Sequence, residues 1–301
     1  MSTTASPTPF PASLRTCDGL KLVTQHWPLP SGQPRGVAVI VHGLGEHALR
    51  YVPVAQALQA QGLAVVALDH RGHGRSEGPR GRMHADDDLL HDLALLIDAA
   101  RAAYPGLPVL LLGHSLGGVL AARFAAELAR PEAQRAAWSR PLHALMLSSP
   151  ALALRLNPIQ KLLLATVARW LPDLAVANGL KPEWVCHNPD TVAAYIADPL
   201  VHDRISGRLS LFMLAAGELS RGLAGRWPLP TLILWGGDDR CVDPQGSADF
   251  LAAARAGGQA GTAKRVEGQC FAHLSHEIFL EREQAQVLGV LGDWVGRVFG
   301  G

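Results

Sequence analysis

The stretch Gly113-His114-Ser115-Leu116-Gly117 constrains what this chain can fold into more than any other feature. It follows an apolar run at residues 109–112 and precedes a helical pattern at residues 119–130. A serine between a strand and a helix, with flanking glycines, is typical of a nucleophile elbow, a sharp turn that exposes the hydroxyl at the edge of a parallel sheet. The five letters alone are weak evidence, so the flanking elements carry the prediction.

The elements around this turn repeat along the chain. Continuous apolar runs are typical of strands buried on both faces of a parallel sheet. Such runs occur at residues 37–41, 63–68, 109–112, 144–147 and 231–235, with a weaker one at 262–266. Before them, residues 10–16 and 20–27 predict a hairpin with its turn at Asp18-Gly19. Helical patterns separate the runs, so the sequence predicts an α/β fold with an eight-stranded, mostly parallel sheet flanked by helices.

The alternation of strands and helices stops after the sixth predicted strand. Residues 151–226 hold only helical or irregular patterns, and strands resume at residue 231. We therefore expect a core domain made of residues 1–150 and 227–301, with residues 151–226 inserted as a helical cap over the carboxyl edge of the sheet. A chain of 301 residues, 48% of them hydrophobic, is long enough to bury such a core.

Charge and hydropathy exclude several classes of function. The formal net charge is +1 and no basic run occurs, so no nucleic-acid partner is expected. Residues 1–11 lack the apolar core of a signal peptide, and no run approaches the ~18 apolar residues that span a bilayer. We expect a cytoplasmic protein, either a monomer or a homodimer. Its four scattered cysteines are expected to be buried free thiols.

Two further side chains are needed to activate Ser115. A serine hydroxyl requires a histidine base, and the histidine requires a carboxylate that holds its tautomer; in α/β-hydrolases the chain order is serine, acid, histidine. Asp238 and Asp239 follow the run at 231–235, and His273 and His276 follow the last strand. Asp239 is preferred because the run Gly-x-x-Asp-Arg-x-Val-Asp resembles the acid turn of this superfamily. His276 is preferred because it lies just before the closing helix.

Hydrolysis through a serine also needs an oxyanion hole, a pair of N–H groups aimed at the charge that develops on the carbonyl oxygen. The N–H of Leu116, directly after the nucleophile, is one candidate. The second candidate is the N–H of Leu44, in the loop after the first long strand. Glycines on both sides of Leu44 permit a tight backbone path there.

Three loops together resemble the monoacylglycerol lipase and lysophospholipase group of α/β-hydrolases. They read His42-Gly43-Leu44-Gly45-Glu46-His47, Asp69-His70-Arg71-Gly72-His73-Gly74-Arg75-Ser76-Glu77-Gly78 and Gly113-His114-Ser115-Leu116-Gly117-Gly118. The turn at Asp239 and the run Phe271-Ala272-His273-Leu274-Ser275-His276 are similar too. The resemblance implies Ser115, Asp239 and His276 as the catalytic triad, and the N–H groups of Leu44 and Leu116 as the oxyanion hole.

Supporting residues are also implied. Glu46 and His47 would brace the oxyanion loop, with His114 beside the nucleophile. The resemblance implies no cofactor and no metal, since His42, His70 and His73 match structural turns of the group. In the cap, only Asp198-Pro199-Leu200 resembles the family.

The predicted activity is hydrolysis of single-chain lipid esters, such as monoacylglycerols or lysophospholipids, through an acyl-enzyme. An aminopeptidase or amidase of the same fold is the first alternative, and it would need cap acids to bind an α-amine. The candidates are Asp173, Glu183, Asp190, Asp198 and Asp203. A ligand-binding homologue without hydrolytic activity is the second alternative.

The cap also carries an apolar helical face. It comprises Ile159, Leu162, Leu163, Val167, Trp170 and Leu171. This face either makes peripheral contact with a membrane or packs on the core domain.

Overall fold

The computed structural model describes residues 9–257 and 266–300. The strands are β1 Ser13–Arg15, β2 Lys21–Trp27, β3 Gly36–Val41, β4 Leu63–Leu68, β5 Val109–His114, β6 Ala144–Ser148, β7 Ala175–Ala177, β8 Arg204–Ser206, β9 Thr231–Gly236 and β10 Val266–Phe271. The helices are α1 Val52–Ala60, α2 Asp88–Ala103, α3 Leu116–Ala126, α4 Pro158–Trp170, α5 Pro189–Ala197, α6 Gly207–Leu223, α7 Pro244–Gly257 and α8 Gln284–Phe299.

One sheet contains eight of these strands, in the order β1-β2-β4-β3-β5-β6-β9-β10. β2 runs antiparallel to β1 and β4, and all other neighbours are parallel. β3, β4, β5, β6 and β9 are buried at every residue, which explains why the sequence shows them as continuous apolar runs. The predicted eight-stranded, mostly parallel sheet is confirmed.

Helices cover both faces of this sheet. On one face, α2 and α3 bury Leu90, Ile97 and Phe124 in the core. On the other face, α1 and α8 bury Leu58 and Trp294. These helices cover the faces of the sheet and leave the carboxyl ends of its strands uncovered.

The register places the loops after β3, β5, β6 and β9 next to one another. Val41 of β3 pairs with Gly113 of β5, and Ser148 of β6 pairs with Leu234 of β9. In open α/β sheets, ligands bind at this edge. The loops that carry Leu44, Ser115 and Asp239 therefore meet there.

The last strand of the sheet lies further along the chain than the sequence predicts. The predicted run at 262–266 falls outside the described residues except for Val266, and the strand is β10, Val266–Phe271. Its interior residues are Glu267, Gly268, Gln269 and Cys270, half-buried or exposed. Because β10 is an edge strand paired only with β9, it lacks the apolar run that marks the central strands.

The segment between β6 and β9 contains α4, α5 and α6, as its helical pattern predicts. It also contains a two-stranded antiparallel ribbon, β7 with β8, that the sequence analysis missed. Each ribbon strand has three residues, too short for any alternation of apolar and polar side chains to show.

Two smaller observations concern the thiols and the membrane. All four cysteines are free, but Cys17 and Cys270 are exposed, so the prediction of buried thiols is wrong for these two. Within residues 9–257 and 266–300, every helix is too short or too polar to cross a bilayer.

Candidate active site

Ser115 lies at the turn between β5 and α3. Its φ of 55° and ψ of −118° fall in a region that non-glycine residues rarely occupy. Its N–H donates to the Ser148 carbonyl and its carbonyl accepts from the Ala151 N–H, both at 3.0 Å. A side chain at Gly117 would collide with backbone carbonyls of the loop after β3. The turn therefore has the strained, tightly packed geometry of a nucleophile elbow.

Asp239 and His276 form a buried pair. His276 Nδ1 lies 2.6 Å from Asp239 Oδ2, and Asp239 Oδ1 accepts from the N–H groups of Cys241 and Val242 at 2.8 and 3.0 Å. Asp239 is 1% exposed and His276 is 5% exposed. A carboxylate satisfied at both oxygens can hold the Nδ1–H tautomer and leave His276 Nε2 free to accept a proton.

The two alternative residues lie elsewhere. Asp238 Oδ2 lies 3.1 Å from Nε2 of His187, and the Asp238 side chain is 44% exposed. The side chain of His273 is 68% exposed, with Nε2 3.8 Å from Glu283. The structure thus brings Asp239 together with His276 and leaves Asp238 and His273 near the surface.

The surroundings of His276 favour its protonated form. Burial acts to lower its pKa, but the charge of Asp239, its hydrogen bond, and the charges of Glu277 and Glu46 outweigh burial. The pKa of His276 is therefore raised above its usual value of 6.5. A base of raised pKa is better able to hold the proton taken from a hydroxyl.

Glu46 organises the predicted oxyanion loop. Its Oε1 accepts from the Gly43 N–H and from the Tyr51 hydroxyl, each at 2.6 Å, and its Oε2 accepts from Arg50 Nε at 3.0 Å. Neither the Leu44 N–H nor the Leu116 N–H donates a hydrogen bond to another of the described residues. Both N–H groups can therefore donate to a ligand at the carboxyl edge of the sheet.

Arg50 contacts two buried carboxyl groups, those of Glu46 and Glu277, and the pKa values of these two groups differ. Arg50 Nε pairs with Glu46, and Arg50 Nη2 pairs with Glu277. Burial opposes ionisation of Glu46, but Arg50, two histidines and the Tyr51 hydroxyl lower its pKa to about 2. Burial raises the pKa of Glu277 to about 7 despite Arg50, since Glu46 already carries negative charge. Glu46 is therefore the permanently charged anchor of this network.

His114 precedes Ser115 in the chain and packs beside His276. Its ring centroid is 4.8 Å from that of His276, and its Nδ1 is 3.1 Å from Ser148 Oγ. Burial, together with the charge of His276, lowers the pKa of His114 to about 3, so its ring is neutral. Across the described ranges, no hydrogen bond joins the Ser115 hydroxyl to His276. Such contacts tighten when substrate binds, and the triad remains a prediction.

A cavity of about 570 Å³ opens onto Ser115. Leu44 and Cys241 also line it, so the wall includes the predicted oxyanion loop and the turn that carries Asp239. Most other lining residues are apolar and include Leu156, Met213 and others from the segment between β6 and β9. This volume and lining suit a small ligand with an apolar part.

The segment between β6 and β9 contacts the oxyanion loop directly. His47 Nε2 lies 2.8 Å from Asp198 Oδ2, and the His202 N–H donates to the Gly45 carbonyl at 2.8 Å. Gly45 has φ of 78°, and a side chain there would collide with the His202 carbonyl. His47, predicted to brace the loop, therefore connects it to the segment between β6 and β9.

One group among the described residues could offer three donor atoms to a metal ion. Asp239, Cys241 and His276 each have a ligand atom within 4.8 Å of the others. The Asp239–His276 hydrogen bond already uses two of these groups, and burial raises the pKa of the Cys241 thiol. The donor set therefore fits a hydrogen-bonded acid–base pair better than a resident metal.

Several polar contacts at the site escaped the sequence analysis. Arg50 and Glu277 have no motif of their own, and only their contacts with Glu46 reveal them. His187 of the cap contacts Asp238 and Glu281 at 3.1 and 3.3 Å. The run Asp198-Pro199-Leu200 was the one usable signal, since Asp198 proves to be a contact of the oxyanion loop.

Comparison with known proteins identifies the family of the chain. Residues 32–283 match the family model described as serine aminopeptidase, S33. The chain belongs to this family. Within the serine aminopeptidase S33 family, the chain is 33% identical to a monoacylglycerol lipase of Mycolicibacterium smegmatis, over 92% of this chain and 93% of that protein. It is 31% identical to the monoglyceride lipase of Rattus norvegicus, over 94% of this chain and 89% of that protein.

A solved structure supports the same assignment. The crystal structure of Paleococcus ferrophilus monoacylglycerol lipase has a TM-score of 0.78 and 31% identity to this member of the S33 family, covering 92% of this chain and 99% of that one. The predicted resemblance to the monoacylglycerol lipase group and the predicted α/β-hydrolase fold are both confirmed.

Proposed function

We propose that this protein hydrolyses carboxylic esters of single-chain lipids, with Ser115 as nucleophile, His276 as general base and Asp239 as the orienting acid. That it is a carboxylic ester hydrolase follows from its family and its relatives. The observation that carries the residue assignment is the buried 2.6 Å contact of His276 with Asp239, at the sheet edge where the Ser115 turn lies.

In the proposed reaction, His276 Nε2 takes the proton of Ser115 while Ser115 Oγ bonds to the ester carbonyl carbon. The N–H groups of Leu44 and Leu116 donate to the carbonyl oxygen as it gains negative charge. The carbon–oxygen bond to the alcohol then breaks, and His276 gives its proton to that oxygen. Water attacks the acyl-enzyme, His276 takes the water proton and returns it to Ser115 Oγ, and the carboxylic acid leaves.

The substrate class is argued from the cavity and from the relatives. The lining is mostly apolar, which suits an acyl chain. The relatives reported above bear names that refer to monoacylglycerol or monoglyceride lipases. Monoacylglycerols and lysophospholipids combine a single chain with a small polar alcohol, and both fit this cavity.

The aminopeptidase alternative, despite the family's printed description, finds little support in the cavity. An enzyme that binds a free α-amine needs a carboxylate near the nucleophile. Asp173, Asp198 and Asp203 contact Arg208, His47 and Arg204, respectively. None of the five cap acids is among the described residues that line the cavity with Ser115.

We assign residues 1–150 and 227–301 to the hydrolase core and residues 151–226 to a cap over its site. The cap also supports a proposed peripheral contact with lipid. Ile159, Leu162 and Trp170 are 77%, 69% and 75% exposed, so these members of the apolar face do not pack on the core. The side chains of Leu163 and Val167 lie outside the described part of the structure.

Two measurements test the proposed function. A fluorophosphonate probe should label the wild type and Ser210→Ala, whose serine lies on α6, but not Ser115→Ala. Turnover of p-nitrophenyl esters should far exceed turnover of aminoacyl anilides. Cleavage of anilides alone would establish the aminopeptidase instead, and unlabelled wild type would favour a ligand-binding homologue.

A further inference from the structure

The side chains that line the cavity beside Ser115 carry a net positive charge. Its described lining includes two arginines, Arg155 and Arg240, and no aspartate or glutamate. The remaining polar side chains of the lining, Ser115, Gln160 and Asn178, are uncharged. Guanidinium groups attract anions, and their fork of donors matches phosphate and carboxylate oxygens. The positive charge of the lining therefore favours a substrate whose polar part is anionic.

The two arginines lie on chain segments that contact each other. Arg240 directly follows Asp239, and Arg155 lies in the segment after β6. The two segments are hydrogen-bonded, since the Asp243 N–H donates to the Ala153 carbonyl at 3.0 Å. In the proposed reaction the leaving alcohol accepts its proton from His276, the partner of Asp239. The arginines therefore lie on chain segments next to the turn that carries Asp239 of the proposed acid–base pair, and both are exposed residues of the cavity lining.

The arginines are only partly neutralised. Arg240 Nε is 3.7 Å from Asp238 Oδ1, and the other oxygen of Asp238 already contacts His187. Arg155 makes no ion pair with any residue in the described ranges, even though Asp243 shares a neighbouring cavity of about 360 Å³ with it. Donors of both side chains remain available to a ligand.

We propose that Arg155 and Arg240 form a subsite for an anionic head group, so that single-chain lipid esters carrying a phosphate are preferred over neutral monoacylglycerols. The proposal rests on the proposed esterase function and specifies its substrate class. The phosphate stays on the leaving alcohol and takes no part in bond making. The products are a fatty acid and glycerol phosphate.

The test compares 1-acylglycerol 3-phosphate with the 1-acylglycerol of the same short chain, both below the concentration at which they aggregate. We expect kcat/KM to be at least about tenfold higher for the phosphate, equivalent to one charge-assisted hydrogen bond. Arg155→Gln and Arg240→Gln should each lower the ratio of the two kcat/KM values about tenfold. Lysine at either position should restore part of the ratio. Inorganic phosphate should inhibit the wild type more than either glutamine variant.

Arg255→Gln is the matched control, because Arg255 is an exposed arginine of α7 outside the cavity lining. It should leave the ratio unchanged. Equal or better turnover of the neutral ester by the wild type would overturn the proposal, as would glutamine variants that lose both substrates equally. Failure to hydrolyse either substrate, with no fluorophosphonate labelling, would instead reject the proposed function.

Discussion

The hydrolase core and the cap satisfy their side chains in opposite ways. In the core, the central strands are buried throughout, and the Asp239 carboxylate at their carboxyl edge is hydrogen-bonded at both oxygens. In the cap, Ile159 and Trp170 are large apolar side chains left in solvent. The core therefore holds its side chains through burial and hydrogen bonds, whereas the proposed cap leaves apolar surface exposed.

The contrast predicts that single changes in the core affect chemistry and that changes in the cap affect substrate delivery. Ser115→Ala and His276→Ala should make the sharpest test, each lowering kcat by about 10⁴-fold or more because the nucleophile or its base is lost. Steady-state kinetics with a soluble ester would measure the loss. Thermal unfolding should be nearly unchanged for Ser115→Ala, and residual activity above a hundredth of wild type would contradict the assignment.

Asp239→Asn should lower kcat by about 10³- to 10⁴-fold, since an amide can stabilise the wrong tautomer of the histidine. Asp238→Asn is the matched control and should cost less than about tenfold, because Asp238 contacts His187 and Arg240 near the surface. Full activity of the first variant and inactivity of the second would exchange the two roles.

Glu46→Gln should lower kcat by about 10- to 100-fold with little change in KM, since it weakens the support of the loop that carries the Leu44 N–H. Glu132→Gln, a change at an exposed position of the core, serves as the comparison. An unchanged kcat in Glu46→Gln would show that the loop holds its shape without the charge.

As pH falls, activity should be lost through protonation of His276, whose pKa is raised above 6.5. Only the neutral ring accepts a proton, so kcat/KM should fall about tenfold per pH unit below a midpoint above 6.5. The same shift stabilises the fold: the contribution is fully present below the unfolded pKa and disappears as pH rises through the folded pKa. A midpoint below 6.5 would mean that burial outweighs Asp239.

The smallest effect concerns the cap. Trp170→Ser should reduce binding to anionic or neutral lipid vesicles a few-fold, because it removes one exposed apolar side chain from the proposed contact. Turnover of a short, monomeric ester should be unchanged. Ala252→Ser, on an exposed position of α7, is the control. Equal vesicle binding by both variants would remove the membrane contact from the proposed function.

The sequence predicts a feature correctly where one physical requirement dictates a single residue type or a single apolar run. Buried parallel strands must be apolar, and β4, at Leu63–Leu68, was predicted to the residue. The elbow at Ser115 needs glycine at Gly117, so the short motif, together with the strand and helix that flank it, predicts the turn. Chain order left two aspartates and two histidines as candidates; the resemblance of the acid turn favoured Asp239, the position before the closing helix favoured His276, and the structure brings these two together.

Sequence reasoning failed where the requirement comes from distant contacts. β10 is an edge strand with polar residues, and its register comes from pairing with β9. Arg50 contacts Glu277, more than two hundred residues away in the chain. The charge of the cavity becomes visible only when the fold brings Arg155 and Arg240 into the lining of the same cavity. Each of these features depends on neighbours that no local pattern encodes.

The contact of His202 with Gly45 has a consequence for engineering. The peptide that presents the Leu44 N–H is held, one residue later, by the backbone of the cap. If the Leu44 N–H stabilises the oxyanion as proposed, a change in this part of the cap should alter both substrate selectivity and transition-state stabilisation. A chimera that receives a foreign lid should keep its turnover rate only if residues 198–202 travel unchanged with the host scaffold.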